Sequence, residues 1–391
     1  MKKVFVVLLS LLVFIVAVAY IWLTQVKQVN LRAQVKSLQS EDQFVRNEEL
    51  QTEITNIAQT YNKAIVVYEA MDDLESSGVD INSLKKQFAT TLSLLSQRQY
   101  QEAEATLADI RSKMDAIITG QAEAEKKKII APPPVPKPAP AAKTQPAPAP
   151  APAPATNNAP PGSGYSQQIV AANGQTFVVS VVAADLASTR VIVDTASTAD
   201  CHQDCPVLSL SEYVARNGAF AGVNGSYFCP ATYPTCTDKK NVFEIMAMNK
   251  DKTYFNSDVD PNTDYPAVIF RNGSIQFISA IANWNKSTDI DSMLANYPLL
   301  VANKQNIYAG SGVDKLNSKG NRSFVANIGS TVYIGVVRSA SVGDSAAVMQ
   351  TLGMENALNL DDGGSTALWA DGGYKVGPGR GLPNVILFIS K

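Results

Sequence analysis

Histidine is all but missing from this chain: His202 is the single one among 391 residues. A Ser-His-Asp or Cys-His hydrolase would have to use that one side chain, and a centre of several imidazoles around a metal cannot be assembled. Any active site must therefore work with carboxylates, arginine, asparagine, hydroxyls and backbone amides. An excess of one charge is missing too. Lys and Arg number 33 against 35 Asp and Glu, a net charge of −2, and no basic stripe marks a nucleic-acid partner. Cysteine is confined to four positions between Cys201 and Cys236. Glycine and proline are nearly absent from residues 24–128, which leaves that segment to helices.

What is present divides the chain into four. Residues 1–23 contain the run Val4–Leu23, apolar except for Ser10 and long enough to cross a hydrocarbon core of about 30 Å. Lys2 and Lys3 precede it and would hold the N-terminus in the cytoplasm, sending the rest of the chain outside. Ala17-Val18-Ala19 resembles a signal-peptide cleavage site. The apolar run continues through Tyr20, Ile21, Trp22 and Leu23, which favours a retained single-pass anchor in the cell membrane. Either reading delivers an extracytoplasmic protein.

Residues 24–128 carry Leu50, Ile54, Ile57, Tyr61, Ile65 and Tyr68 at helical spacing. Ser76–Asp80 breaks the pattern, Asp80 suits a helix cap, and further helices are expected over 82–96 and 98–125. The segment reads as a helical hairpin or coiled-coil stalk, its stripe either a core or a seam for a homo-oligomer. Residues 129–163 are a Pro/Ala-rich linker, extended and solvated, reaching up to roughly 100 Å at about 3.1 Å per residue. Residues 164–391 have the β-branched alternation of strands. Turns are expected at Asn173-Gly174, Asn272-Gly273 and Gly329-Ser330, and helices over 208–217 and 342–352. The fold class is α+β, built on a mixed sheet.

In an exported protein the four cysteines read as two disulfides. The local pairing Cys201–Cys205 and Cys229–Cys236 is the first expectation, although spacing leaves three pairings open. A zinc site with His202 is the alternative, and C-x3-C followed by C-x6-C matches zinc spacing poorly.

Three polar clusters stand where strands are expected to end: "GVNGSYF" with Asn224 and Gly225, "GNRSFVANIG" with Arg322, and "NLDDGGST" with Asp361 and Asp362. Amides around Gly363 and Gly364 can form an anion nest, to which Ser365 and Thr366 add hydroxyls. Arg322 can clamp a phosphate or carboxylate bidentately. Asp361 can serve as base, nucleophile or metal ligand.

The order of these elements resembles the phosphodiester glycosidase family over nearly all of 164–391. The carriers are "FVVSVVAADL", "AGVNGSYF", "YPLLVANKQ", "NRSFVANIG", "ALNLDDGGSTAL" and "GRGLPNVILF". Asp362 stands where the family usually has its first glycine, Ser323 replaces the usual threonine, and the loop "CPATYPTC" lies outside the general pattern. The resemblance implies a hydrolase of sugar-1-phosphodiesters. A phosphate leaving group departs as a weakly basic anion, so a second catalytic acid is dispensable. Asp361, Arg322 and Asn224 are the implied catalytic residues, with Arg322 and the Gly363-Gly364-Ser365 amides on phosphate and Asp361 as base or charge stabiliser. Gly225, Thr366, Arg380 and Asn384 complete the implied substrate site.

No cofactor is required by this chemistry. Asp361 and Asp362 permit a Ca²⁺ or Mg²⁺ site, against which stands a pair that simply caps turn amides. The substrate implied is a glycan phosphodiester of the envelope or an exopolysaccharide. The runner-up is a non-catalytic glycan-binding module, favoured by Asp362 in place of glycine.

Overall fold

The computed structural model describes residues 2–39, 42–130, 156–257 and 265–391, with the backbone alone for 2–19, 42–44 and 283. Most of Val4–Leu23 therefore lies outside the described side chains, as does most of the Pro/Ala linker, residues 131–155. Among the described residues no helix is long and apolar enough to cross a membrane.

The N-terminal region is helical: α1 (Lys2–Gln39), α2 (Asp42–Ser76), α3 (Asn82–Ser96) and α4 (Tyr100–Ile130). The helices close a core of their own, with Val67, Met71 and Leu74 of α2 against Leu84 and Phe88 of α3 and Leu107 and Ile110 of α4. The expected stripe is corrected, since Leu50, Ile54, Tyr61 and Tyr68 are exposed. Asp80 accepts the Asn82 amide at 3.0 Å, so it supports the start of α3 although Ile81 occupies the N-cap position.

The C-terminal region begins with β1 (Gly164–Ala172), β2 (Gln175–Asp185), β3 (Thr189–Thr195), α5 (Leu210–Asn217) and β4 (Ala221–Asn224). Short strands follow: β5 (Ala247–Met248), β6 (Tyr254–Phe255), β7 (Ala267–Arg271), β8 (Ser274–Ile278), β9 (Ser292–Ala295), β10 (Leu299–Ala302) and β11 (Gln305–Asn306). Then come α6 (Asp314–Asn317), β12 (Gly320–Ile328), β13 (Thr331–Ala340), α7 (Val342–Thr351) and β14 (Asn356–Asp362). The chain closes with β15 (Leu368–Ala370), β16 (Gly373–Val376) and β17 (Asn384–Ser390).

These strands form a seven-stranded sheet, β1-β2-β13-β12-β14-β10-β11, and two five-stranded sheets, β16-β15-β4-β17-β3 and β6-β5-β9-β7-β8. The α+β class holds, but the mixed sheet is corrected: the named ladders are all antiparallel. Tight hairpins enforce this, because a two-residue turn can join only antiparallel neighbours. At the first, Asn173 and Gly174 both take positive φ, 49° and 71°, as the primed hairpin turns require.

Strand β2 shows why its sequence reads as a run rather than an alternation. Val179, Val181 and Ala183 face the layer under α7, while Val182 and Ala184 face the strands of the two smaller sheets. Both faces are covered, so both are apolar. The same double burial holds for β14, whose C-terminal end delivers Asp361 and Asp362 to the rim of the layers.

Candidate active site

Strand β14 ends at Asp362, and the chain turns through Gly363, φ 60°, into the short 3-10 turn Gly363–Ser365. A left-handed residue at this point favours glycine, and the turn leaves the carboxyl of Asp361 facing a cavity of about 220 Å³. Asp361 is 8% exposed, and its carboxylate accepts the Asp362 amide at 2.8 Å. Burial pushes this carboxyl well above the usual range, and the neighbouring Asp362 charge adds to the rise. The Ser365 hydroxyl and the Asp362 amide pull the other way.

Asn224 is brought to the site from the neighbouring sheet. Its Nδ2 donates to the Asp361 carbonyl at 2.6 Å; its Oδ1 accepts the Ser323 hydroxyl at 2.7 Å and the Ala367 amide at 3.1 Å. The Asp361 amide donates in turn to the Gly225 carbonyl at 2.9 Å. This cluster joins the two sheets beneath Asp361. Asn224 is fully buried, with its amide group engaged by Asp361, Ser323 and Ala367.

Arg322 is engaged in the same way. Its Nη1 pairs with Asp362, Nε donates to the Ala340 carbonyl at 2.9 Å, and Nη2 donates to the Lys315 and Ser318 carbonyls at 2.8 and 2.5 Å. At 3% exposure the guanidinium ties Asp362 to the loop before β12. Asn384 is likewise internal, its Oδ1 accepting the Ser226 amide at 2.9 Å. Gly225 packs on it so closely that a Cβ would lie 1.7 Å from Asn384 Oδ1. The Thr366 hydroxyl donates to the Asn321 carbonyl at 3.2 Å.

Arg380 is different. Its guanidinium lies over the Tyr233 ring, 5.0 Å from the centroid, and its Nε and Nη1 are buried without a protein partner. Only Nη2 is engaged, by Asp72 at 3.0 Å and Asp73 at 2.5 Å. Of the expected substrate residues, Ser365 lines the cavity with Asp361, and Arg380 lies beside the Gly363-Gly364 turn, its Nη2 against Gly364. Asn224, Gly225, Thr366 and Asn384 stand behind Asp361.

Sequence reasoning missed four groups that face the cavity. Tyr227 accepts from Asn359 Nδ2 at 2.8 Å and approaches Asp362 at 3.4 Å; it lies in "GSYF", so the motif held the signal. Tyr233 sits in the loop closed by Cys229–Cys236, where only the structure shows its direction. Lys315 donates to the Tyr233 hydroxyl at 3.0 Å. Glu244, whose carboxyl burial also raises, comes from an irregular segment without a pattern. The disulfides follow the local pairing, Cys201–Cys205 and Cys229–Cys236, and the second fixes the loop that carries Tyr233. His202 is largely exposed, beside Asp200 at 3.8 Å.

A cation does not suit the Asp361–Asp362 pair. Asp362 already holds a guanidinium, and the Asp361 carboxylate accepts the Asp362 amide. Among the described residues no cluster of three metal-ligating side chains occurs.

The linker was expected to hold the helical region away from this domain, yet α2 lies across the site. A second cavity of about 320 Å³ opens between α2, α4 and the start of β12. Both cavities are lined by Asp73, Lys315 and Asp362.

Residues 217–389 match the family model for phosphodiester glycosidases. No curated protein matches the chain in sequence. Among solved structures, a hypothetical protein from Synechocystis is similar at 14% identity and a TM-score of 0.42, over 58% of this chain and 62% of that one. The chain thus spans less than two thirds of that protein. The catalytic domain of zebrafish N-acetylglucosamine-1-phosphodiester alpha-N-acetylglucosaminidase, solved auto-inhibited by its pro-peptide, is similar at 14% identity and a TM-score of 0.45, over 61% of this chain and 87% of that one. These likenesses are distant, and no residue is assigned from them.

Proposed function

With residues 217–389 a domain of the phosphodiester glycosidase family, we propose that this chain hydrolyses sugar-1-phosphodiesters, with Asp361 as the proton-transferring group and Arg380 as the phosphate clamp. Water attacks the anomeric carbon, the bond from that carbon to the phosphate oxygen breaks, and its electron pair leaves with the phosphate as a phosphomonoester. The proton lost by water passes to the Asp361 carboxylate. The observation that carries this reading is the buried Asp361, its carboxyl raised, on the wall of an enclosed space. Arg380 is close enough for its charge to act on that carboxyl, and its Nε and Nη1 lack a protein partner. A carboxyl shifted upward toward working pH exchanges protons more effectively, and unpartnered donors near a departing anion stabilise its charge.

Arg322 and Asn224 act on this chemistry through Asp362 and Asp361. Gly363, Gly364 and Ser365 shape the floor on which the phosphate rests. The apolar run Val4–Leu23 and the two disulfides support an anchored, extracytoplasmic protein acting on envelope or exopolysaccharide phosphodiesters. Asp362 in place of the family's usual glycine favours a glycan-binding module as the second reading.

The test incubates the full chain with saturating sugar-1-phosphodiesters and measures released reducing sugar beside Asp361→Asn. Turnover that disappears in the variant supports the hydrolase. Saturable glycan binding without turnover in either protein favours the binding module.

A further inference from the structure

Helix α2 presents Glu69, Asp72 and Asp73, spaced three and four residues apart and therefore on one face, to the open side of the candidate site. Asp73 accepts the Tyr233 hydroxyl at 2.6 Å and Arg380 Nη2 at 2.5 Å. Asp72 accepts the Thr232 hydroxyl at 2.7 Å and the same Arg380 nitrogen at 3.0 Å. Glu69 accepts the Thr235 hydroxyl at 2.6 Å and pairs with Lys315 at 3.4 Å. The helix also rests on the glycine turn: a Cβ on Gly363 would lie 2.7 Å from Asp73 Oδ2, and one on Gly364 would lie 2.8 Å from Asp73 Cα. Gly363 and Gly364 admit the helix because neither carries a side chain.

We infer that Asp73, supported by Asp72, is a resident mimic of the substrate phosphate, so that the α2–α4 hairpin and the substrate exclude one another. This rests on the functional reading above, which gives Arg380 and the Gly363–Gly364 turn to phosphate. A carboxylate offers two oxygens to a guanidinium and a phenol, as a phosphodiester offers its two non-bridging oxygens. The hairpin covers the cavity that the substrate would enter, and the groups it engages are the ones that would hold the phosphate.

The contact is built to open. The hairpin core is made from its own residues, so α2, α3 and α4 keep their packing when they leave the site. The α2 contacts run through carboxylates, hydroxyls and cations, groups that water accepts on separation, while α4 lies against β1, β2 and β13. The same acids would serve a permanent wall poorly. They place negative charge beside Asp361, whereas an apolar seam would hold the helix without that repulsion. Tyr233, Thr232 and Thr235 all come from the loop closed by Cys229–Cys236, so the disulfide orients the domain's half of the latch.

The test uses the full chain, with inorganic phosphate as probe. In the wild type, saturating phosphate should speed amide exchange over residues 62–76, a measurement that needs no substitution. In the Asp72→Asn/Asp73→Asn double variant, isosteric and checked for an intact thermal transition, phosphate should bind roughly ten-fold tighter, because the competing charge is gone. Unchanged exchange together with unchanged or weaker phosphate affinity in the variant overturns the inference. Turnover reports separately. Tighter phosphate binding without hydrolysis of any sugar phosphodiester supports the latch and sinks the hydrolase reading; a turnover gain matching the affinity gain supports both.

Discussion

Two buried arginines stand on either side of the Asp361-Asp362 strand end and behave in opposite ways. Arg322, at the start of β12, donates to three backbone carbonyls and pairs with Asp362. Arg380, in the loop before β17, has two nitrogens without a partner and a third held by acids from a different part of the chain. The sheet ends build a scaffold in which polar groups satisfy one another, and the loops above leave donors for something else. A charged side chain in a motif can therefore be tied into the frame, while the one with unpartnered nitrogens, Arg380, lies in a later loop.

Substitutions sharpen this contrast. The largest effect is expected at Asp361→Asn, which should lower turnover by about 10³-fold, the range of a lost proton-transfer group, while the thermal transition stays in place. Arg322→Gln should be the most damaging to stability, by about 3 kcal/mol, because Asp362 is left charged and nearly buried. Arg380→Gln should lower the transition by less than Arg322→Gln, since two unpartnered nitrogens are removed while Asp72 and Asp73 lose their pairing but can reach water as α2 moves off, and should abolish phosphate binding. Equal thermal shifts in the two arginine variants would erase the distinction between frame and clamp. Gly225→Ala follows, at about 2 kcal/mol by thermal denaturation, because its Cβ collides with Asn384 inside a packed junction.

The smallest effect is a slope with pH. Burial raises the Asp361 carboxyl in the folded chain, so the folded state binds its proton more tightly than the unfolded state does. The stability gained is complete below the unfolded carboxylate value of about 3.9 and is lost as pH rises through the folded value. Denaturation midpoints followed upward from pH 4 should fall more steeply in the wild type than in Asp361→Asn. Parallel slopes would place the titration elsewhere, with Glu244 the next group to replace.

Much of the frame was legible. Asn173-Gly174, Asn272-Gly273 and the turn at Gly329 all lie between antiparallel partners, since turn chemistry is local. The helix over 82–96 has the expected bounds, because its apolar spacing is a property of neighbouring residues. "NLDDGGST" does end a strand, and its first carboxylate does face the cavity. The roles of Arg322, Asn224 and Asn384 were not legible, because the identity of a hydrogen-bond partner across sheets is set by strand register and bulges. The register irregularity between Arg322 and Phe324 is an example, and it has no signature in composition.

Composition and spacing by themselves determined that this protein has no histidine cluster to work with, and that it joins a helical segment to a strand-rich domain whose acid lies at a strand end. Those properties depend on residue type and on neighbours a few positions away. Tertiary structure alone decided which arginine keeps unpartnered nitrogens, which tyrosines wall the cavity, how the cysteines pair, and that Asp72 and Asp73 of α2 reach Arg380 across more than three hundred residues of chain. Such contacts follow from how whole layers pack, and packing is a property of the folded ensemble of elements, which no local stretch contains.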